Sequence, residues 1–447
     1  MKKRRIILII IALNLFSFHP LTAYAGTVET PSEILPNFDL LTEQQRAEGF
    51  ERLELESLLT ATTLTTERQQ QAADYFKAKE DDKARAALDS NILTQEQHQL
   101  LIQITKQPEL QIRLAQNADE FFLLAQLTAI DYKLGDDRIN KANSYFAQAL
   151  KSGRNPEHLE AYALFSQKNQ LLEQAEQLYT EALSQRKKNT HQIKDKYFLI
   201  RSLNELGTIK KDRKQLDAAF SLYTEALALN QSLLAEDSEA VIGISVVLSS
   251  LSELAILDSK RNVEVAKLYA ETITRLRPLA KNSPTEYLPI LAQLENTLAG
   301  LLNTMQPTTK QLQEIEQNYT EALSSYRQLA ETDANSHLPS VAMVLNNLAG
   351  FLLEKSASTR RPEIEKYLAE SLKISQQTST THPDPYLRTV YQADVIRTLE
   401  LLGRAHLTWK ESGKAQTYLQ EALQIAGDKP EYQYQVSSIK QTLNTAQ

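Results

Sequence analysis

Along most of the chain, apolar and small residues recur at offsets of four, seven and eight, with polar residues filling the gaps. The hexamer LYTEAL stands at 178–183 and again at 222–227, and NYTEAL stands at 318–323. Aligning on these brings out a looser pattern in seven blocks: a small or β-branched residue, an aromatic or Leu four later, a small residue three after that, then Leu or Ile. Four blocks read Ala142/Phe146/Ala149/Leu150, Ala175/Tyr179/Ala182/Leu183, Ala219/Tyr223/Ala226/Leu227 and Val265/Tyr269/Thr272/Ile273. Three more read Ile315/Tyr319/Ala322/Leu323, Ile364/Leu368/Ser371/Leu372 and Ala415/Leu419/Ala422/Leu423. Such offsets lie on one face of an α-helix, so each block predicts an amphipathic helix with small residues where a neighbour comes close.

Each block has a partner upstream. Leu203-Asn-Glu-Leu-Gly207 ends sixteen residues before Tyr223, and Leu399-Glu-Leu-Leu-Gly403 ends sixteen before Leu419. Leu254-Ala255, Leu298-Ala299 and Leu345-Asn-Asn-Leu-Ala349 are related segments. Glycine inside a helix costs up to about 1 kcal/mol against alanine. Gly207 and Gly403 are therefore expected to let a second helix pack against the backbone. The predicted unit is a helix hairpin.

In this the chain resembles the tetratricopeptide repeat family, whose L-G…A-x3-F/Y-x2-A pattern is carried by Leu206, Gly207, Ala219, Tyr223 and Ala226. The likeness covers 119–427, about seven hairpins. It implies an all-α fold, a right-handed superhelical solenoid of antiparallel hairpins. The spacings between blocks are 33, 44, 46, 50, 49 and 51, mostly longer than the usual 34. Such long units resemble those of kinesin light chains and related peptide-binding adaptors. The extra length is expected in polar loops at 235–240, 281–289, 331–339 and 378–386, with Pro289 and Pro339 in the first turns of the helices that follow. Residues 26–118 form an N-terminal region, helical by pattern at 42–59, 66–89 and 94–116, that is either degenerate repeats or a separate cap. Residues 428–447 read as a C-terminal capping helix, since solenoid ends need a polar cover.

Composition agrees with helices: the 447 residues include only 11 glycines, about a third of ordinary usage. The first 25 residues stand apart. Lys2, Lys3, Arg4 and Arg5 precede the apolar run Ile6 to Phe18, and Ala23-Tyr-Ala25 follows. These are the three parts of a cleaved secretory signal, and the run is short of the ~20 residues a span needs. No later stretch reads as membrane-spanning. Loss of 1–25 removes four positive charges and no negative ones, taking the net charge from −7 to −11. An acidic protein is a poor nucleic-acid ligand. The chain has no cysteine, which excludes disulfides and thiolate chemistry. A periplasmic or secreted protein is expected.

Catalytic patterns are missing. His98, His158, His191, His337, His382 and His406 form no close metal-ligand pair, and neither G-x-S-x-G nor a phosphate loop occurs. No cofactor, metal or catalysis is expected, and HPDP at 382–385 reads as a proline-stiffened loop. The signal lies instead on the first helices. Asn204, Asn296 and Asn346 each precede a small packing residue by three and are expected at equivalent surface positions, with Asn347 beside Asn346. Ser252 stands in the repeat between the first two, and Glu160 and Glu400 stand in flanking ones. The resemblance implies a concave face lined by first helices, where a carboxamide can donate to and accept from a peptide backbone. Arg201 and Lys211 could add a contact to an acidic or C-terminal peptide. The expected function is a non-catalytic adaptor binding a peptide or protein segment. The alternative is a scaffold that docks folded partners or itself through its convex face and loops.

Overall fold

The computed structural model describes residues 43–445 except 105–106, 189, 383–384, 428 and 430–431. The export signal read at 1–25 lies outside these residues, as do Pro383 and Asp384. The expectation of an all-α fold is met: the described residues form helices and short 3-10 turns, with no strand. The chain divides into two compact units after Leu233.

In the first unit the helices are α1 (Glu43–Ala61), α2 (Glu67–Lys77), α3 (Asp81–Ala86), α4 (Ser90–Gln103), α5 (Gln111–Ala129), α6 (Asp137–Ser152), α7 (Pro156–Lys168), α8 (Leu172–Arg186), α9 (Ile193–Asp212) and α10 (Leu216–Leu233). The pairs α5/α6, α7/α8 and α9/α10 are antiparallel hairpins. Helices α1 to α4 share one core with α5, in which Leu55, Phe76, Leu88 and Leu93 pack with Phe121 and Leu124.

The hairpin turns have a common construction. Lys79, Gln170, Lys214 and Lys410 all take positive φ near 60°. The next residue in each turn donates its N–H to a carbonyl five back: Glu80 to Tyr75, Leu171 to Ser166, Gln215 to Lys210 and Glu411 to His406, at 2.8–2.9 Å. This 6→1 bond satisfies a carbonyl orphaned at the helix end. Counting from the positive-φ residue, a small residue lies seven before it (Ala72, Ala163, Gly207, Gly403), an alanine five after (Ala84, Ala175, Ala219, Ala415), and an aromatic or Leu nine after (Leu88, Tyr179, Tyr223, Leu419). The pair α2/α3 is thus a hairpin of the same kind with a truncated second helix. Residues 66–89, read as one helix, are broken by this turn. Residues 94–116 are broken after Gln103, and Pro108 opens a 3-10 turn before α5.

The second unit contains α11 (Ala240–Leu257), α12 (Asn262–Asn282), α13 (Pro284–Thr304), α14 (Thr309–Thr332), α15 (Ala334–Ser356), α16 (Arg361–Thr381), α17 (Pro385–Thr408), α18 (Ser412–Ala426) and α19 (Gln433–Thr445). These form four hairpins in sequence, with α19 packed on the last. First helices α11, α13, α15 and α17 neighbour one another, and each second helix also packs on the following first helix.

The loops expected at 281–289 and 331–339 are largely helix, so the long units owe their length mainly to helices of 21–24 residues. Only Ser283 and Asp333 interrupt them, Asp333 accepting from the Ser336 N–H at 3.2 Å. Pro289 and Pro339 consequently sit inside α13 and α15, not in their first turns. Helices α11 and α15 are long and apolar enough to cross a membrane by length and composition, which the sequence reading did not register. Half of the first and 72% of the second is buried against other helices.

Candidate functional site

Gly207 and Gly403 do what was expected of them. A Cβ on Gly207 would lie 2.5 Å from Cε1 of Tyr223, and one on Gly403 would lie 2.5 Å from Cγ of Leu419. Tyr223 and Leu419 are fully buried there, flanked by Ala219, Ala226, Ala415 and Ala422. The fold is of the tetratricopeptide type.

Solved structures similar to this chain include BtubC (BKLC) from P. vanneervenii, at 20% identity over 57% of this chain and 91% of that one, with a TM-score of 0.43. A tetratricopeptide repeat protein from Parabacteroides merdae is 14% identical over 74% of this chain and 98% of its own, at a TM-score of 0.37. The C-terminal part of a TPR repeat-containing protein from Cytophaga hutchinsonii is 12% identical over 69% and 97%, at 0.35. No protein-family model and no curated protein matches the sequence.

Within a tetratricopeptide hairpin, positions six and two before and one and five after the small packing residue share one face of the first helix. In α15 these are Met343, Asn347, Gly350 and Glu354, and in α17 they are Arg397, Leu401, Arg404 and Thr408. None of the eight is buried. All but Met343, together with Asn303 of α13, the edge of Asn346, and Tyr319, Phe351 and Leu353 beneath, wall a groove of about 390 Å³ between α15 and α17. Burial pushes the Tyr319 phenol up to about 12 although Arg397 opposes it, so this hydroxyl remains a neutral donor. Burial likewise raises Asp394 to about 6 against the pull of Arg397. Glu354 is held below the ordinary carboxylate value, chiefly by Lys355 and also by Asn303.

A polar ladder crosses three successive first helices at one end of this groove. Asn347 Nδ2 donates to Asn296 Oδ1 at 2.9 Å. Arg397 Nη2 donates to Asn347 Oδ1 at 2.8 Å. The carboxamide of Asn347 therefore faces the groove with its orientation fixed from both sides.

The surface placement expected for Asn296 and Asn346 does not hold. Asn296 is 9% exposed and Asn346 only 1%. Asn346 donates to Thr398 Oγ1 at 2.8 Å, and Ser371 Oγ beside them donates to the Ala342 carbonyl at 3.0 Å. A position three before the small residue is rotated toward the adjoining helix, so Asn346 locks α15 to α17 while Asn347 looks outward. Arg201, Asn204 and Lys211 lie on α9 of the first unit and are all half-buried. Glu205, one turn beyond Arg201, is buried and its carboxyl is raised by desolvation against the attraction of Arg201. Glu160, aligned with Asn204, is a buried packing group: Arg186 Nε and Nη2 donate to its two oxygens at 2.9 and 3.0 Å.

Sequence reasoning assigned no role to Arg397 and Arg404, and it took Gly300 and Gly350 only as part of a recurring segment. A signal existed: L-A-G recurs at 298–300 and 348–350, and the arginines stand seven apart on a helix already recognised.

Proposed function

We propose that the protein is a non-catalytic interaction scaffold that receives an extended polypeptide segment in the groove between α15 and α17. The tetratricopeptide fold supports the general role, and Gly350 carries the specific one. Glycine mid-helix costs up to about 1 kcal/mol, and at Gly207 and Gly403 a tightly packed neighbour explains that cost. At Gly350 a Cβ would meet only Leu401 Cδ2, at an ordinary 3.8 Å. Packing does not require this glycine; keeping the groove open beside Asn347 does.

Gly350→Leu, which projects into the groove, and Asn347→Ala are the test, compared with the parent in affinity capture from envelope extract. Loss of partners with unchanged melting supports the reading; undiminished capture by both variants sinks it. The basic, apolar and small-residue order of residues 1–25 supports an exported protein acting in the periplasm or outside the cell.

A second reading, a scaffold that self-associates through its loops, is favoured by one patch. Ile256, Leu257 and Val263, around the α11/α12 turn, are 74%, 51% and 69% exposed. Large exposed apolar side chains grouped this way mark contact surfaces. Light scattering at rising concentration, with Ile256→Ser/Val263→Ser as control, separates it from a monomeric peptide binder.

A further inference from the structure

The arginines of this acidic chain are mostly held by carboxylates. In the second unit Arg327 pairs with Glu370 at 2.7 Å, Arg360 with Glu316 at 2.6 Å and Arg361 with Glu411 at 2.9 Å. Arg397 and Arg404 are different. Both are exposed, and among the described residues neither makes an ion pair. Arg397 hydrogen-bonds the neutral carboxamide of Asn347, and it attracts the Asp394 carboxyl without pairing with it. The acid on the opposite wall, Glu354, is engaged chiefly by Lys355 and Asn303 and only attracts Arg404 from a distance beyond an ion pair.

We infer that the groove selects an acidic segment carrying two carboxylates three residues apart. The inference rests on the peptide-binding reading above and adds the chemistry of the ligand. Seven helical residues put Arg397 and Arg404 about 10 Å apart along α17. An extended chain in the polyproline II conformation advances about 3.1 Å per residue with three residues per turn, so side chains at i and i+3 lie on one face about 9 Å apart, close to that distance. A guanidinium grips a carboxylate through two parallel N–H donors. Leu401, between the two arginines, and Phe351 on the floor offer apolar contact to the intervening residues. Nucleic acid fits less well, because a chain of net charge −7 with two such arginines cannot track a phosphate backbone.

The experiment is selection of a random twelve-residue peptide library on the full chain, with Gly350→Leu as counter-selection. Enriched peptides are then measured by fluorescence anisotropy against the parent, Arg397→Glu, Arg404→Glu and Arg275→Glu, an exposed arginine on second helix α12. The expected result is enrichment of Asp or Glu at i and i+3. Each groove reversal should weaken binding about tenfold or more, Arg275→Glu should leave it unchanged, and affinity should fall with salt. Enriched peptides without acids, insensitive to both reversals, overturn the inference and leave the groove standing. No enrichment over Gly350→Leu overturns the groove reading itself. Heparin binding that is lost in both arginine variants and displaces the peptides would show a general polyanion site, which also overturns the inference.

Discussion

Replacing Gly207 with alanine tests the packing logic of the whole array. In an isolated helix this change stabilises by up to about 1 kcal/mol. Here the new Cβ would stand 2.5 and 2.8 Å from Cε1 and Cδ1 of Tyr223, where carbon pairs prefer about 3.5–4.0 Å. The ring must retreat by about 1 Å, yet it is fully buried and its hydroxyl lies 3.1 Å from Thr208 Oγ1. Overpacking of this kind costs about 1–3 kcal/mol, so the net loss should be about 1–2 kcal/mol after the helix gain. Gly413 provides the opposite case: nothing lies within 4 Å of its Cβ position, and Gly413→Ala should be neutral or stabilising by up to about 1 kcal/mol. Repeat arrays open locally, so hydrogen exchange of α9 and α10 amides reports the effect better than a single melting temperature. In a Tyr223→Ala background the obstacle is gone, and Gly207→Ala should change sign. If Gly207→Ala protects these amides as well as Gly413→Ala protects those of α18, close helix approach is not why the glycine is there.

Lys214→Gly should stabilise the α9/α10 turn by about 1 kcal/mol, because an L-residue at φ 62° is strained; slower exchange in both helices would show it. Arg186→Met should cost about 3–5 kcal/mol by leaving the Glu160 carboxylate buried without its partner, and adding Glu160→Gln should recover much of that in denaturant melts. Glu295 occupies a position that is Leu in α9, α15 and α17, and burial, with Glu321 nearby and Arg277 only partly compensating, raises it from 4.5 to about 8. The native state then holds a proton that the unfolded chain has released, so stability falls as pH rises from 4.5 to about 8 and is level above it. Glu295→Gln should therefore gain on the parent progressively across that interval, by up to about 1.4 kcal/mol per pH unit; parallel denaturation curves at pH 5 and pH 8 would refute the assignment.

The sequence alone determined the hairpin, because small and large residues at helical offsets can bury only one way. Gly207 and Tyr223 announced their contact through spacing, and the structure brings them together. The degenerate hairpin at α2/α3 was also legible, since Ala72, Ala84 and Leu88 keep the same distances from Lys79. It stayed one of two alternatives because Asn91 stands where the other blocks carry a small residue. Only the tertiary structure decided which asparagine faces out. Asn346 and Asn347 differ by 100° around one helix, and that angle puts one carboxamide on Thr398 and the other on the groove. It alone also separated two kinds of glycine. Gly403 and Gly350 look alike in the sequence, but one lies under Leu419 and the other borders open space. A charge pattern names arginines without saying which are neutralised, because their partners, such as Glu316 for Arg360 and Glu411 for Arg361, come from helices far away in sequence. Arg397 and Arg404 stand out only once those partners are in place.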